Sequence, residues 1–264
     1  MRDQPVIARR HTVVVGNIPA ELSGLRIAHI SDFHFHRWNR VTQAAQDLLL
    51  TADYDLVAAT GDFGTSPRRW ARAADLMRRF FEPIAQRAPI YAVLGNHDNP
   101  AMATAPDIPL VFLRNESVSL RHSGGVFELA GLDQGLFGAE DMRTALGGTR
   151  RHDFTILLAH YPSTVFRLPP GRVALQLSGH THGGQIRLPY LGCIWANDRI
   201  PLRMSRGLHT VAGTILHTSP GIGVCPPIPV RINCPAEVTL LALQPAERVT
   251  DAVQTEGLAV AVGH

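Results

Sequence analysis

The chain has 264 residues and a mass of 28.8 kDa, with 45% hydrophobic and 18% charged residues. This balance is typical of a globular chain long enough to bury a core, and it argues against disorder, a collagen-like fibre or a long coiled coil. The net charge of +3 suits an anionic substrate, but the basic residues come in pairs rather than runs, which disfavours a nucleic-acid partner. The three cysteines follow no disulfide or zinc spacing, and we expect them to be small buried residues.

Short apolar runs alternate with helical patterns, which is typical of an α/β fold. The runs predict strands at 25–30, 55–60, 89–94, 154–159 and 173–177, and two or three short strands between 110 and 130. Apolar spacing of three and four predicts one helix around 41–49 and a second helix that starts after Ser66 and Pro67. Residues 185–243 are expected to be mostly β, with five prolines marking 220–235 as a structured loop or an edge segment.

The same patterns predict how the chain is organised. We expect residues 1–24 to form an N-terminal arm, residues 25–243 to form one domain, and residues 244–264 to form a loosely attached tail. No apolar run is long enough for a transmembrane helix, and the N-terminal apolar stretch is too short for a signal peptide. The sequence therefore predicts a cytoplasmic protein, and it leaves peripheral membrane contact and the oligomeric state open.

Five of the predicted strands end in side chains that can bind metals. The strand tips read Ser31-Asp32-Phe33-His34, Gly61-Asp62, Gly95-Asn96-His97-Asp98, Ala159-His160 and Gly179-His180-Thr181-His182. Because sites in open α/β sheets gather beyond the carboxyl ends of strands, these tips are expected to converge on one crevice. Oxygen and nitrogen donors without a thiolate suit Mn, Fe, Zn, Ni or Co. A series of seven donors from these tips, in chain order Asp, His, Asp, Asn, His, His and His, exceeds the needs of one ion, whereas two ions about 3.5–4 Å apart that share a carboxylate would use them all.

Each of these motifs also has a plainer interpretation when it is taken alone. A histidine at a strand end is more often a core or surface residue, and Gly-Asp or Asn-His-Asp is common in turns. Five strand tips of this kind in one chain are hard to reach by chance. We therefore favour a metal centre over a set of unrelated turns.

In order and approximate spacing, the five blocks resemble those of the calcineurin-like metallophosphoesterase superfamily. The form Gly-His-Thr-His-Gly-Gly-Gln at 179–185, with Pro-Val-Arg231 and Pro235-Ala-Glu237 after it, is most similar to the bacterial YaeI/YkuE-like phosphodiesterase branch. The resemblance runs over 25–243, so the predicted domain would be a metallophosphoesterase domain. It implies a four-layer α/β/β/α sandwich in which two mixed sheets are flanked by helices.

The resemblance also implies a role for each residue of the blocks. Seven side chains would hold two divalent cations, four on the first and three more on the second: Asp32, His34, Asp62 and His182, then Asn96, His160 and His180. Asp62 would bridge the pair, and His97 would stand over the leaving group with Asp98 orienting it. Manganese is the expected cation, with zinc, iron(II) and nickel as alternatives.

The activity implied is hydrolysis of a phosphodiester or pyrophosphate bond by in-line attack of a metal-bridging hydroxide on phosphorus, while His97 assists the leaving group. The substrate would be a small anionic compound, either nucleotide- or lipid-linked, such as a UDP-diacylglucosamine-like molecule of lipid A biosynthesis. Three arginines are candidates to bind its phosphates: Arg187, Arg203 and Arg231. The alternatives are a nuclease or phosphomonoesterase of the same superfamily, or a metal-binding interaction scaffold without activity.

Four aromatic residues near the blocks allow two interpretations. Phe33, Phe35, Trp38 and Trp195 could line an apolar channel for a lipid tail, although core packing is the more common role of such residues. Many relatives have an N-terminal anchor or export signal that is not visible in this sequence. The resemblance therefore does not predict the cellular location. Contact with the inner membrane stays open for the same reason.

Overall fold

The chain folds into two mixed β-sheets that pack face to face, with helices on their outer surfaces. The structure is a computed structural model that describes residues 5–16, 18–136, 138–150, 153–225, 229–246 and 257–259. Within these ranges, none of the helices is both long and apolar enough to cross a bilayer.

Seven strands build the first sheet: β1 (Ile7–Val15), β2 (Arg26–Ile30), β3 (Leu56–Ala59), β4 (Ile90–Ala92), β5 (Val111–Phe112), β14 (Glu237–Pro245) and β15 (Gly257–Ala259). They lie in the order β15-β1-β14-β2-β3-β4-β5, and the strands from β2 to β5 are parallel. β1 pairs with β14 along its whole length, from Ile7 opposite Glu237 to Val15 opposite Pro245. Residues 7–15, which we set apart as an arm, therefore form part of the sheet, and β15 in the expected tail pairs with β1.

Six strands build the second sheet: β6 (Glu116–His122), β7 (Gly125–Gly131), β8 (Thr155–Leu158), β9 (Leu175–Ser178), β12 (Gly207–Val211) and β13 (Thr214–Thr218). They lie in the order β12-β13-β9-β8-β7-β6, with the four central strands parallel and the two edge strands antiparallel. The short strands β10 (Arg187–Leu188) and β11 (Gly192–Cys193) form a separate hairpin. The strands predicted from apolar runs, including those between 110 and 130, are confirmed.

Helices complete the four layers that the resemblance implies. α1 (Arg40–Thr51) and α2 (Trp70–Ala85) cover the outer face of the first sheet, and α1 begins after Asn39, whose side chain accepts a hydrogen bond from Thr42 N at 2.8 Å. The short α3 (Met142–Ala145) packs on the outer face of the second sheet. The apolar core between the sheets comes from strands of both. The expected α/β/β/α architecture is confirmed.

The aromatic residues after β2 lie in the core rather than in a channel. Phe33 and Phe35 are 4% exposed and stack on each other with ring centroids 5.0 Å apart, next to Phe80 and Phe81 of α2. The interpretation of Phe33 and Phe35 as lipid-channel residues is therefore wrong, because helix packing covers both rings. Trp195, in contrast, is 63% exposed.

Candidate metal centre

The structure brings all seven predicted ligands to one place between the two sheets. Asp32 and His34 follow β2, Asp62 follows β3, and Asn96 follows β4, while His160 follows β8 and His180 and His182 follow β9. Because these strands of the two sheets end at the same side of the sandwich, their tips meet. Metal-binding atoms lie within 4.8 Å of one another in two overlapping groups, Asp32–His34–Asp62 and Asp62–His160–His180.

Most of these ligands sit on strained backbone. Five of them have positive φ angles in the left-handed region: Asp32 (52°), His34 (46°), Asp62 (55°), His180 (67°) and His182 (52°). Side chains other than glycine rarely adopt this region, and such strain clusters at functional sites. The tight left-handed bends after β2, β3 and β9 turn these side chains inward to a common point.

The first half of the centre is formed by two imidazoles and two carboxylates. His34 Nε2 lies 3.0 Å from His182 Nε2 and 3.7 Å from Asp62 Oδ2, while Asp32 Oδ1 lies 3.5 Å from His182 Nε2. His34 Nδ1 lies 3.2 Å from the carbonyl oxygen of Gly64. Because a carbonyl only accepts, His34 donates through Nδ1 and presents the lone pair of Nε2 to the centre.

The second half uses the same carboxylate. Asp62 Oδ2 lies 3.4 Å from His160 Nε2, which is 3.1 Å from Asn96 Oδ1. His160 Nδ1 donates to the Thr60 carbonyl oxygen at 2.7 Å, and His180 Nε2 donates to the Asn197 carbonyl oxygen at 2.5 Å. In the neutral imidazoles, these bonds leave lone pairs on His160 Nε2 and His180 Nδ1. Asp62 Oδ2 therefore lies close to imidazoles of both halves, and the bridging role expected of it stays a prediction.

This donor set fits divalent cations. His160 Nε2 faces the carboxylate of Asp62 and the side-chain oxygen of Asn96, so that a neutral imidazole with its proton on Nδ1 sets acceptors against acceptors in a buried space. Such an arrangement is costly without a positive charge between the groups. Two divalent cations would satisfy every lone pair, and the nitrogen and oxygen donors suit Mn²⁺, Zn²⁺, Fe²⁺ or Ni²⁺.

Burial and mutual charge shift the pKa values of the ligands. Burial raises the pKa of Asp32 to about 7 and lowers the pKa of His34 and His180 to about 4, which keeps both imidazoles neutral. Burial opposes the charge on His160, but the Asp62 carboxylate outweighs it and raises the pKa of His160 to about 9. Burial likewise opposes the Asp62 charge, yet the imidazoles around it, that of His160 first, hold its pKa below the usual range.

Two glycines allow the strand tips to approach this closely. A Cβ atom added to Gly95 would lie 2.5 Å from Asp62 N and 2.7 Å from His160 Cε1. A Cβ atom added to Gly179 would lie 2.8 Å from Ser31 Cβ and would also collide with the carboxylate of Asp32. Larger residues at these positions would push the ligands apart.

His97 and Asp98 lie at the edge of the centre. The backbone N–H of His97 donates to Asp62 Oδ1 at 2.8 Å, and its ring centroid is 5.0 Å from that of His34. Asp98 is fully buried and accepts hydrogen bonds from Gly64 N at 3.0 Å and Gly95 N at 2.9 Å. Burial, followed by the charge of Asp62, raises the pKa of Asp98 to about 7. Asp98 thus joins the loops after β3 and β4, and the catalytic role expected of each residue stays a prediction.

The three arginines predicted to bind phosphate differ in their surroundings. Arg231 is buried, and it donates to the carbonyl oxygens of Gly223 at 2.8 Å and Pro220 at 2.7 Å. Arg187 is half-buried and donates to the Gly183 carbonyl oxygen at 2.9 Å. Arg203 is exposed. Two of the three guanidinium groups therefore brace loops of the centre, and contact with a substrate stays a prediction.

One residue beside the centre was missed by the sequence analysis. The sulfur of Cys225 lies within 4.8 Å of nitrogen atoms of both His34 and His182. Burial, with smaller contributions from Asp62 and Asp32, raises the pKa of the Cys225 thiol to about 11. Cys193 and Cys234 are buried as expected, whereas Cys225 is half-buried. Cys225 has no motif spacing, so no sequence signal placed it here.

Two mixed sheets that meet at a cluster of aspartate, histidine and asparagine ligands define a metallophosphoesterase. A profile of the calcineurin-like phosphoesterase family matches residues 25–184, and the chain belongs to this family. The chain is 29% identical over 248 residues to the metallophosphoesterase YkuE of Bacillus subtilis, covering 89% of this chain and 84% of YkuE. It is 26% identical over 232 residues to the phosphodiesterase YaeI of Escherichia coli, covering 83% and 82%.

Solved structures support the fold alone. The NAD nucleotidase NadN of Haemophilus influenzae matches with a TM-score of 0.52 and 14% sequence identity. The match covers 75% of this chain and 50% of NadN, so the shared part is about half of that protein. The expected membership of the family is confirmed, together with its fold.

Proposed function

We propose that the protein hydrolyses phosphodiester or pyrophosphate bonds and depends on two divalent cations. The observation that carries this proposal is the position of Asp62 Oδ2, which lies 3.7 Å from His34 Nε2 and 3.4 Å from His160 Nε2. When bound, two cations lower the pKa of a water molecule that they share and offset charge on the phosphoryl oxygens. The similarity to the phosphodiesterase YaeI supports a diester rather than a monoester as substrate.

The residues of the chain would divide the remaining work. Asp62 would bridge the cations, and the other six ligands would fix their separation. Since the half-buried His97 lies beside His34, its ring would face the phosphoryl group and donate a proton to the leaving oxygen, a step worth roughly 10²–10⁴-fold. Asp98 would act on His97 through the backbone of the loop that carries both. Manganese is the proposed cation.

The charge distribution favours an anionic substrate. Between Phe154 and Ala236, the segment that supplies three of the seven candidate ligands, the sequence has seven arginines and one acidic residue, Asp198. Such an excess attracts phosphate-bearing molecules. We propose a small nucleotide- or lipid-linked phosphoester, with the exposed Arg203 as a candidate contact, acting in the cytoplasm or at the inner face of a membrane.

The test compares bis-p-nitrophenyl phosphate with p-nitrophenyl phosphate. Chelator-stripped protein would receive Mn²⁺, Zn²⁺, Ni²⁺ or Mg²⁺, one at a time, with metal content measured in parallel. We expect Mn²⁺ to restore diester cleavage, and His97→Ala to keep two cations while its kcat falls roughly 10²–10⁴-fold. His122→Ala, a change of the same type in β6, should behave as the unmodified protein.

Other outcomes would select an alternative. Faster cleavage of the monoester would indicate a phosphomonoesterase, and hydrolysis of DNA with steep salt dependence would indicate a nuclease. Two bound cations without hydrolysis of any phosphoester would indicate a metal-binding interaction scaffold without activity. Loss of the cations in His97→Ala would contradict the role assigned to that residue.

A further inference from the structure

The hairpin of β10 and β11 exposes a group of large apolar side chains, which we call the apolar hairpin (residues 188–195). Its exposed side chains, with the exposed fraction of each, are Leu188 (40%), Tyr190 (107%), Leu191 (74%), Ile194 (53%) and Trp195 (63%). Contiguous apolar surface of this kind is rare on proteins that work alone in water, and it marks an interaction site.

The apolar hairpin has a firmly bonded base. Arg187 N donates to the Ile232 carbonyl oxygen at 2.9 Å, and Asn233 Nδ2 donates to the Arg187 carbonyl oxygen at 3.0 Å. Cys193 is buried, and its sulfur lies 3.1 Å from the Trp195 carbonyl oxygen. The fold therefore fixes the base of the hairpin, while Tyr190 and Leu191 project into solvent.

Positively charged residues flank the apolar hairpin in the sequence. No acidic residue lies between Ile186 and Asn197, and the exposed Arg199 and Arg203 follow directly. Asp198 is the one acidic residue of this region, and its carboxylate accepts hydrogen bonds from Ser163 N at 2.9 Å and Arg199 N at 2.6 Å. The segment that carries the apolar tip therefore has a net positive charge, and it would attract an anionic surface.

The apolar hairpin is joined to the metal centre. The carbonyl oxygen of Asn197, two residues after Trp195, accepts the hydrogen bond of His180 Nε2 at 2.5 Å. At its other end, Arg187 Nη1 binds the carbonyl oxygen of Gly183, next to His182. Whatever the apolar hairpin binds is thus brought to the edge of the site.

We propose that the apolar hairpin docks the protein on an anionic lipid bilayer and presents the metal centre to phosphodiester head groups of membrane lipids. Tyr190 and Trp195 fit the head-group level, which amphipathic aromatic rings prefer, while Leu188, Leu191 and Ile194 reach the acyl chains. The arginines contact anionic lipids. In the reaction, water adds across the P–O bond of the lipid and leaves a phosphomonoester and an alcohol. The docking stands without the proposed hydrolysis, whereas the choice of substrate rests on it.

The experiment is vesicle co-sedimentation of the metal-loaded protein. Vesicles of phosphatidylcholine alone are compared with vesicles containing about one third phosphatidylglycerol. We expect sedimentation with the anionic vesicles only, and a partition coefficient at least tenfold lower for the double variant Tyr190→Ser/Leu191→Ser. The double variant Val111→Ser/Val126→Ser removes exposed apolar side chains elsewhere and should sediment as the unmodified protein does. Arg199→Gln should weaken binding to anionic vesicles in low salt.

Hydrolysis of bis-p-nitrophenyl phosphate, measured on the same samples, separates the two proposals. The Tyr190→Ser/Leu191→Ser variant should retain this activity on the water-soluble diester and lose preferential cleavage of phosphatidylglycerol in vesicles. Equal sedimentation of this variant and the unmodified protein would overturn the docking surface. A dimer that forms without vesicle binding, and that this variant disrupts, would also overturn the docking surface. A second copy of the chain would then be the partner of the apolar hairpin. Vesicle binding without cleavage of either diester would overturn the proposed hydrolysis and leave the docking intact.

Discussion

Replacing Gly95 with alanine should disrupt the metal centre although no ligand is changed. The new Cβ atom would lie 2.5 Å from Asp62 N and 2.7 Å from His160 Cε1, and real Cβ atoms essentially never approach heavy atoms more closely than 3.0 Å. To reach an ordinary contact of 3.4 Å, the His160 ring must retreat by about 0.7 Å. Gly95 does not have a positive φ angle, so the effect is steric and not conformational.

The expected magnitude follows from these overlaps. Overpacking of a rigid site costs about 1–3 kcal/mol of folding free energy, and a ligand displaced by about 1 Å costs roughly 10²-fold in rate. We therefore expect Gly95→Ala to bind fewer than two cations per chain after stripping and reloading, and to cleave the diester about 10²-fold more slowly. Metal analysis, kinetics and thermal unfolding would measure the three effects.

A matched exchange provides the control for this prediction. A Cβ atom added to Gly16 meets nothing within 4 Å, so Gly16→Ala should bind two cations and turn over normally. If Gly95→Ala also bound two cations and retained full turnover, the close approach of the strand tips would not determine the geometry of the centre. The steric argument would then be refuted.

Three further predictions test the buried charges. Asp62→Asn removes the carboxylate that both halves share, so metal analysis should find fewer than two cations, and a full complement would refute bridging. Asp98→Asn keeps one oxygen acceptor but places an amide donor against one of the two N–H groups, those of Gly64 and Gly95, which should cost about 1–3 kcal/mol in urea unfolding. Burial lowers the pKa of His29 to about 3 from a usual 6.5, so its contribution to stability is complete above pH 6.5 and is lost as pH falls towards 3. At pH 5 the free energy of unfolding should be about 2 kcal/mol lower than above pH 6.5, and His29→Gln should weaken this dependence of stability on pH.

The positions of the candidate ligands were predictable because the sequence signals for them are local. Asp32 and His34, like His180 and His182, directly follow a run of apolar residues that forms a buried strand. A strand end and the side chains beyond it are encoded within a few residues of each other. Convergence of the tips then follows from the rule that sites gather beyond the carboxyl ends of strands, without any knowledge of long-range contacts.

The assignment of β1 to an arm shows where local signals end. Its partner β14 lies at the other end of the chain, with Ile7 opposite Glu237 and the Arg9 guanidinium 2.9 Å from the Glu237 carboxylate. Arg9 and Arg10 break the apolar pattern, so the segment looks solvated in the sequence. Only the pairing of the two distant strands buries Val13 and Val15 against the second sheet.

Arg231 illustrates a different limit of prediction from sequence. The sequence indicated a hydrogen-bond donor near the centre, but it did not reveal that this donor binds backbone carbonyl oxygens. A guanidinium group has five donors, and these fit backbone carbonyls as well as they fit phosphate. The chain around Pro220 and Gly223 forms no strand, so its carbonyl oxygens need donors from elsewhere in the protein. Arg231 supplies these donors. Its Nη2 also lies 3.3 Å from His182 Nδ1. The buried charge is costly, but it lies behind a ligand cluster that also contains two carboxylates. A buried arginine in this place braces the loop that holds His182. A sequence alone does not reveal this role, and contact of Arg231 with phosphate stays a prediction.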